Sequence, residues 1–91
     1  MFDDTFDFHN LGILEPNQIK YYFDTFIKNS FTQGNKYLLI VTGKGKSSEG
    51  PQGMVNKIVT QLLIKNRYIL KFKQADEQYG GSGAFEVWLK D

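Results

Sequence analysis

Asp7 and His9 are the two residues of this chain whose types and spacing most directly permit chemistry. They lie in the run Phe6-Asp7-Phe8-His9, and His9 is the only histidine in the sequence. Residues two apart on a strand project from the same face, so we expect the two side chains to lie together. A carboxylate beside an imidazole orients the ring and fixes its tautomer, which suits proton transfer during phosphodiester cleavage. The competing interpretation is that Asp7 caps a turn or pairs with a lysine, and that His9 is an ordinary surface residue.

A second candidate segment is Thr42-Gly43-Lys44-Gly45-Lys46, which follows the apolar run 37–41. Glycines let the backbone approach an anion closely, and the free N–H groups of such loops hold phosphates. Lys44 would stabilise the negative charge that builds up on a phosphate in the transition state. The spacing of a nucleoside-triphosphate-binding loop is absent. The competing interpretation is a solvated loop between a strand and a helix.

Basic and aromatic residues further along the chain extend these candidate phosphate contacts. Arg67, Lys71 and Lys73, with Lys65 at the end of a predicted helix, would follow a nucleic-acid backbone without reading its sequence. Trp88 would stack a base if one face of the sheet is open. The sequence favours the other interpretation of Trp88, in which its ring covers the backbone of neighbouring strands.

Composition limits the class of protein. The chain has 91 residues, 41% of them hydrophobic, which is enough for one core, so we predict a single domain over residues 1–91. There is no cysteine, which excludes disulfides and cysteine-ligated metals. No apolar stretch approaches the ~20 residues that cross a membrane, and the acidic N-terminus lacks the basic region of a secretory signal. We therefore predict a soluble cytoplasmic protein.

The formal net charge of +1 conceals an uneven distribution. Residues 1–24 carry five acidic side chains and one basic one, whereas residues 36–73 carry eight basic side chains and one acidic one. A basic half favours a polyanionic partner. The alternative is a solvated surface that is simply uneven in charge.

Hydrophobic periodicity places the candidate residues on a short series of elements. Helices are predicted to begin at Pro16 and Pro51, because proline fits the first position of a helix. The predicted strands cover residues 5–9, 36–42, 67–75 and 84–90. The order β-α-β-α-β-β predicts a two-layer α/β sandwich, in which a four-stranded mixed sheet carries both helices on one face. The last two strands are expected to be antiparallel neighbours.

Alternation within the last two strands assigns their faces. In the third strand, Tyr68, Leu70 and Phe72 are predicted to alternate against Lys71 and Lys73. In the fourth strand, Phe85, Val87 and Leu89 are predicted to face one way, and Glu86, Trp88 and Lys90 the other.

With these elements in order, the chain resembles a small MutS-related (Smr) domain over about residues 5–90. Phe6-Asp7-Phe8-His9 is similar to the LDLH strand of that family, and Thr42-Gly43-Lys44-Gly45 is similar to its HGxG or TGxG loop. Tyr79-Gly80-Gly81-Ser82-Gly83-Ala84 is similar to its terminal glycine-rich turn. The chain departs from the family at Asn10, where glycine is usual, and has Thr42 where histidine is often found.

The resemblance implies the fold of the C-terminal domain of the third translation initiation factor, together with nucleic-acid binding and endonuclease activity. Members of the family nick DNA or cut RNA, in several cases messenger RNA at stalled or collided ribosomes. We therefore predict that Asp7, His9 and Lys44 carry the chemistry. The residues predicted to bind nucleic acid are Thr42, Gly43, Lys44, Gly45, Lys46, Arg67, Lys71, Lys73, Gly80 and Gly81.

The leading prediction is thus an Smr-type endonuclease that acts on RNA in preference to DNA, in ribosome rescue or nucleic-acid repair. The rival is a non-catalytic nucleic-acid-binding or ribosome-binding module on the same fold, which Asn10 favours because an altered turn would shift His9. A third interpretation is a protein-interaction domain that uses the basic face against an acidic partner. We expect a monomer with no cofactor and no resident metal, and leave a transient Mg²⁺ at Asp7 open.

Overall fold

The computed structural model describes residues 1–43 and 51–91, with residues 51 and 52 described by their backbone alone. Within those residues the chain forms four strands and two helices in the predicted order. The elements are β1 (Asp4–Asp7), α1 (Pro16–Thr32), β2 (Tyr37–Val41), α2 (Pro51–Lys65), β3 (Ile69–Gln74) and β4 (Ala84–Leu89). The predicted α/β class, a four-stranded mixed sheet with two helices, is confirmed.

The strands are ordered β1-β2-β4-β3 across the sheet. β1 and β2 are parallel neighbours, whereas β4 is antiparallel to both β2 and β3 and lies between them. The predicted antiparallel pairing of the last two strands is therefore confirmed. As a consequence, the C-terminal ends of β1, β2 and β3 and the N-terminal end of β4 meet at one edge of the sheet, which we call the upper edge.

Helix α1 begins and ends where the sequence predicts. Pro16 is its first residue, and the backbone N–H of Glu15 donates to Oε1 of Gln18 at 2.8 Å, which satisfies a polar group at the helix start. At the other end Gly34 adopts a φ of +82°, and its N–H donates to the carbonyl oxygen of Phe31 at 3.1 Å. The N–H of Asn35 donates to Ser30 at 2.9 Å, which completes a Schellman motif.

The main core lies between the helices and one face of the sheet. Phe23 and Ile27 of α1, Val59 of α2 and Leu38 and Ile40 of β2 are almost completely buried. Burial of this apolar area is the main force that holds the helices on the sheet. The buried members of the core are Phe8, Leu14, Ile19, Phe23, Phe26, Ile27, Leu38, Ile40, Val55, Val59, Leu63, Ile69, Phe85, Val87 and Leu89.

The predicted alternation of β3 is wrong at Leu70. A bulge between Ile69 and Lys71 inserts Leu70 as an extra residue opposite β4, so that the next paired residue after Ile69 is Lys71. Leu70 is 63% exposed. Phe72 still faces the core, and Lys71 and Lys73 face the other side, as strict alternation from Tyr68 predicts. The bulge changes only Leu70, which it excludes from the core.

The face of the sheet away from the helices is only partly open. Leu39, Ala75 and Ala84 are buried there, and Phe2 and Tyr79 pack against them. Glu86, which was predicted to face outward, does lie on this side but is only 2% exposed. Trp88 is half-buried on this face, with the ring of Tyr37 on one side and the ammonium group of Lys71 on the other.

Candidate functional site

His9 is presented by a short 3₁₀ turn (Phe8–Leu11) that follows β1 directly. The expectation that Asp7 and His9 share a strand face is therefore wrong, because the strand ends at Asp7. Phe8 between them is 2% exposed and anchors the turn in the core. This anchor leaves His9 exposed and Asp7 half-buried at the upper edge.

Asp7 holds the backbone of His9. Its Oδ1 atom accepts a hydrogen bond from the N–H of His9 at 2.8 Å, so Asp7 caps the turn, as one of the two interpretations of the sequence proposed. The turn closes at Gly12, which has a φ of +76°. Asn10 does not adopt a positive φ, so the backbone conformation at this position does not require the usual glycine.

The end of β2 lies directly beside this turn. Asp7 is paired with Val41 in the parallel ladder, so the turn that carries His9 and the segment Thr42–Gly43 leave neighbouring strands at the same end of the sheet. Gly43 has a φ of +89°, a conformation that side chains other than glycine adopt rarely. Lys44, Gly45 and Lys46, predicted to contact nucleic acid, lie outside the described residues.

The glycine-rich turn before β4 is joined to the end of β2. The carbonyl oxygen of Gly83 accepts hydrogen bonds from the N–H of Thr42 at 2.8 Å and from the N–H of Gly43 at 3.0 Å. Gly80 and Gly81 both have positive φ, and a Cβ on Gly80 would lie 2.9 Å from the Cβ of Ala84. The structure thus brings the described parts of the three segments singled out in the sequence, with Thr42 and Gly43 standing for the second, together at the upper edge.

Asn56 of α2 ties these segments to the helix layer. Its Nδ2 atom donates to Oγ1 of Thr42 at 3.1 Å and to the carbonyl oxygen of Ser82 at 3.3 Å. The hydroxyl of Thr42 in turn lies 3.3 Å from the carbonyl oxygen of Gly83. The sequence analysis did not single out Asn56. The signal that could have identified it is an amide side chain on the otherwise apolar side of a predicted helix.

Glu86 was also missed, and it supports the other side of the glycine-rich turn. Its carboxylate accepts a hydrogen bond from the hydroxyl of Tyr37 and another from the N–H of Asp76 at 3.1 Å, and Nζ of Lys73 lies 3.8 Å away. The hydrogen bond from Tyr37, followed by those from Asp76 and Lys73, holds the pKa of Glu86 below its usual range, although burial opposes the effect. The same bond to Glu86 raises the pKa of Tyr37 to about 12.

The predicted basic track does not lie as one group at the upper edge. Lys73 is closest to that edge and is engaged by Asp76 at 3.4 Å as well as by Glu86. Lys71 lies over the ring of Trp88, with Nζ 4.9 Å from the ring centre. Arg67 precedes β3 at the opposite edge of the sheet and lies over the ring of Tyr68, 5.1 Å from its centre.

Two other properties bear on what the site can hold. In the described part of the chain, no group of three or more histidine, cysteine or acidic side chains is arranged to hold a metal ion. The expectation that no cofactor is needed stays a prediction. Neither helix within the described residues is long and apolar enough to cross a membrane.

Comparison with known proteins agrees with this arrangement. The model of the Smr domain family matches residues 7–90. YdaL, a stand-alone small MutS-related protein from Escherichia coli, superposes with a TM-score of 0.84 at 23% identity, over 96% of this chain and 64% of that chain. The Smr domain of Thermus thermophilus MutS2 superposes with a TM-score of 0.76 at 18% identity, over 97% of this chain and 98% of that chain. No relative is found among curated protein sequences.

The strand order and the three segments at the upper edge define a two-layer α/β domain of the β-α-β-α-β-β class. Because the family model covers nearly all of the sequence, the chain belongs to the Smr domain family, as its motifs predicted. The structural likenesses, at these identities, bear on the fold alone. The chain spans 64% of the length of the YdaL chain that it matches.

Proposed function

We propose that this protein is an endonuclease that binds nucleic acid and cleaves phosphodiester bonds, with RNA as its preferred substrate. The observation that supports the proposal most is the pairing of Asp7 with Val41, which sets the His9 turn beside Thr42 and Gly43. The family to which the chain belongs is known for nucleic-acid binding and nuclease activity. Action in ribosome rescue or nucleic-acid repair, in the cytoplasm, belongs to the same proposal.

The proposed chemistry starts from an exposed imidazole beside a glycine bend. His9 takes the proton of the ribose 2′-OH as that oxygen attacks the adjacent phosphate. The bond between phosphorus and the 5′-oxygen breaks, and the leaving 5′-oxygen takes a proton from water. Asp7 fixes the position of His9 through its backbone N–H. Lys44 balances the charge on the phosphate in the transition state. The products of this route carry a 5′-OH and a 2′,3′-cyclic or 3′ phosphate.

The rival proposal is a nucleic-acid-binding module that does not cut. The observation that favours it is the capping bond of Asp7, since a carboxylate that serves a turn need not serve catalysis. Asn10, which favours the rival in the sequence, has no positive φ, so the backbone at this position does not require glycine. The two proposals differ in whether the protein cleaves the nucleic acid that it binds and whether that cleavage requires His9.

The test compares cleavage of labelled single-stranded RNA by the natural chain, by His9→Ala and by Asn10→Ala at equal concentrations. Asn10 is a matched control because it is exposed in the same turn and makes no described side-chain hydrogen bond. We expect His9→Ala to lose cleavage by about 10²–10⁴-fold. Its binding should stay unchanged, and Asn10→Ala should retain both properties.

Two results would contradict the nuclease proposal. Equal cutting by all three proteins would point to a contaminating nuclease, and equal binding with no cutting by any would support the rival module. The ends of the products test the route separately. Fragments that carry 5′-phosphate would exclude attack by the 2′-OH and favour attack by water.

A further inference from the structure

A row of aromatic rings crosses the face of the sheet away from the helices. It begins next to the glycine-rich turn with Tyr79 and continues through Phe2 and Tyr37 to Trp88. The ring centres of successive members are 5.0, 4.6 and 4.9 Å apart. We call these four residues the aromatic row. Each of them is partly exposed to solvent, so the row is both packed and accessible.

Lys71 lies at the far end of the aromatic row. In the ladder Trp88 is paired with Tyr37 on one side and with Lys71 on the other, because β4 runs between β2 and β3. The ring of Trp88 is therefore stacked on Tyr37 through one face, and the ammonium group of Lys71 lies over the ring from the other strand. Lys71 is exposed, and the long stem of a lysine side chain lets a ligand displace its ammonium group from the ring without disturbing the sheet.

We propose that the aromatic row and Lys71 form a docking surface for single-stranded nucleic acid that extends from the upper-edge site, an inference that rests on the proposed function. An unpaired base replaces the ammonium group on the face of Trp88, and that group moves to an adjacent phosphate. The exchange is favourable because stacking of a base on an aromatic ring is stronger than an exposed cation–π contact.

The distribution of charge and the exposed ring faces favour single-stranded nucleic acid as the ligand of this surface. The opposite margin of the sheet, at β1, carries Asp3 and Asp4, which repel phosphates, whereas β3 presents Lys71 and Lys73. Lys73 is already paired with Asp76 and Glu86, so Lys71 is the cation that gains most from a phosphate. A duplex cannot use the surface in the same way, because its bases are stacked on each other and only unpaired bases expose their faces.

The test uses the fluorescence of Trp88, which is the only tryptophan in the chain. The probe is a single-stranded RNA oligonucleotide with 2′-O-methyl groups, which the proposed chemistry cannot cleave, and the same oligonucleotide annealed to its complement. We expect the single strand to quench Trp88 as it binds and the duplex to leave Trp88 unchanged. Trp88→Leu should weaken binding of the single strand by roughly 5- to 100-fold, measured by anisotropy of a labelled probe.

Lys71→Gln keeps the inference testable if Trp88→Leu does not fold. It should weaken binding of the single strand and lower the slope of log affinity against log salt by about one. Lys28→Gln removes the same charge from an exposed position on α1, in the helix layer on the other side of the sheet, and should change neither quantity.

Binding that leaves Trp88 fluorescence unchanged and treats Lys71→Gln like Lys28→Gln would overturn the docking surface and leave the nuclease proposal intact. Quenching by the single strand in a protein that cleaves no RNA would support the docking surface and remove the nuclease proposal. Failure to bind any nucleic acid would overturn both.

Discussion

At the scale of single residues, Asp7 is the side chain on which the position of His9 depends. Its carboxylate accepts a hydrogen bond from the backbone N–H of His9. The residue between them, Phe8, is buried in the core and anchors the turn. A capping bond of this kind needs an oxygen at the end of the side chain and no negative charge. Asparagine therefore separates the role of Asp7 in the turn from its role beside the imidazole.

We predict that Asp7→Asn retains the stability of the natural chain, because the amide oxygen caps the turn equally well. Asp7→Ala should lower the free energy of unfolding by about 1 kcal/mol, since the N–H of His9 loses its partner. Both variants should cut RNA about tenfold more slowly, because both remove the negative charge that assists the imidazole. The measurements are urea unfolding and single-turnover cleavage. Full activity in Asp7→Asn would show that Asp7 acts only as a cap.

The residues of this site were predictable in type but not in local geometry. The sequence identified Asp7, His9, Thr42 and Gly43 from their chemistry and order, and the family model covers all four. It did not identify the 3₁₀ turn, because the alternation of Phe6 and Phe8 continues one residue beyond the end of the strand. An aspartate two residues before His9 fits both a strand and a capped turn, and only the packing of Phe8 decides between them.

At the scale of elements, the insertion of β4 between β2 and β3 is what completes the upper edge. A hairpin partner on the outside of β3 would have placed Gly83 two strands away from Thr42. The sequence predicted that the last two strands are neighbours but carried no local signal for the order β1-β2-β4-β3. The bulge at Leu70 was missed for a similar reason, since an exposed leucine fits the apolar alternation as well as a buried one does.

β1 remains an edge strand in this arrangement, and its own side chains protect it. Oδ1 of Asp4 accepts the backbone N–H of Thr5 at 2.8 Å, which occupies a donor of the strand. Asp3 directly precedes the strand, and Asp7 is its last residue. Charged residues on an edge strand discourage pairing with a second chain, which agrees with the expectation of a monomer. The oligomeric state stays a prediction.

The glycine-rich turn gives a prediction at this scale. We expect Gly80→Ala to lower the free energy of unfolding by about 2–3 kcal/mol, because its φ of +125° is strained for alanine and the new Cβ meets Ala84. Gly34→Ala is the matched control, since Gly34 also has a positive φ but has open space around it, and should cost only about 1 kcal/mol. Thermal unfolding measures both, and equal losses would contradict the close approach of Gly80 to Ala84.

At the scale of the whole molecule, the two margins of the sheet carry opposite charges, and a buried carboxylate lies between them. The β1 side is acidic, the β3 side carries lysines, and Glu86 is buried between them. Glu86 is held by Tyr37 from β2 and by the backbone of Asp76 beyond β3, so it joins three parts of the open face. The stability of the domain should therefore depend on the protonation of this pair.

Because the pKa of Glu86 is below 4.5 in the folded chain, its contribution to stability is full above about pH 4.5 and is lost as the pH falls through the folded pKa. Because the pKa of Tyr37 is raised from 10.0 to about 12, its contribution is full below pH 10 and is lost as the pH rises to 12. We predict that the Tm of the natural chain falls at acid pH and again between pH 10 and about 12. In Tyr37→Phe the part of the alkaline fall that is due to Tyr37 should be absent.

Tyr21→Phe is the matched control for this prediction, because Tyr21 is 66% exposed on α1. Its Tm should follow the natural chain at every pH. An alkaline decline of the same size in Tyr37→Phe as in the natural chain would contradict the role assigned to the bond between Tyr37 and Glu86.

The proposed site is tested most directly by asking whether the three segments at the upper edge bind one phosphate together. An uncleavable single-stranded RNA can be titrated into labelled protein while NMR follows the imidazole of His9, which is the only histidine signal, and the amides of Gly43 and Gly81. We expect all three signals to shift with the same dissociation constant. A shift at Gly43 and Gly81 with no change at His9, or different dissociation constants for them, would contradict the proposed site.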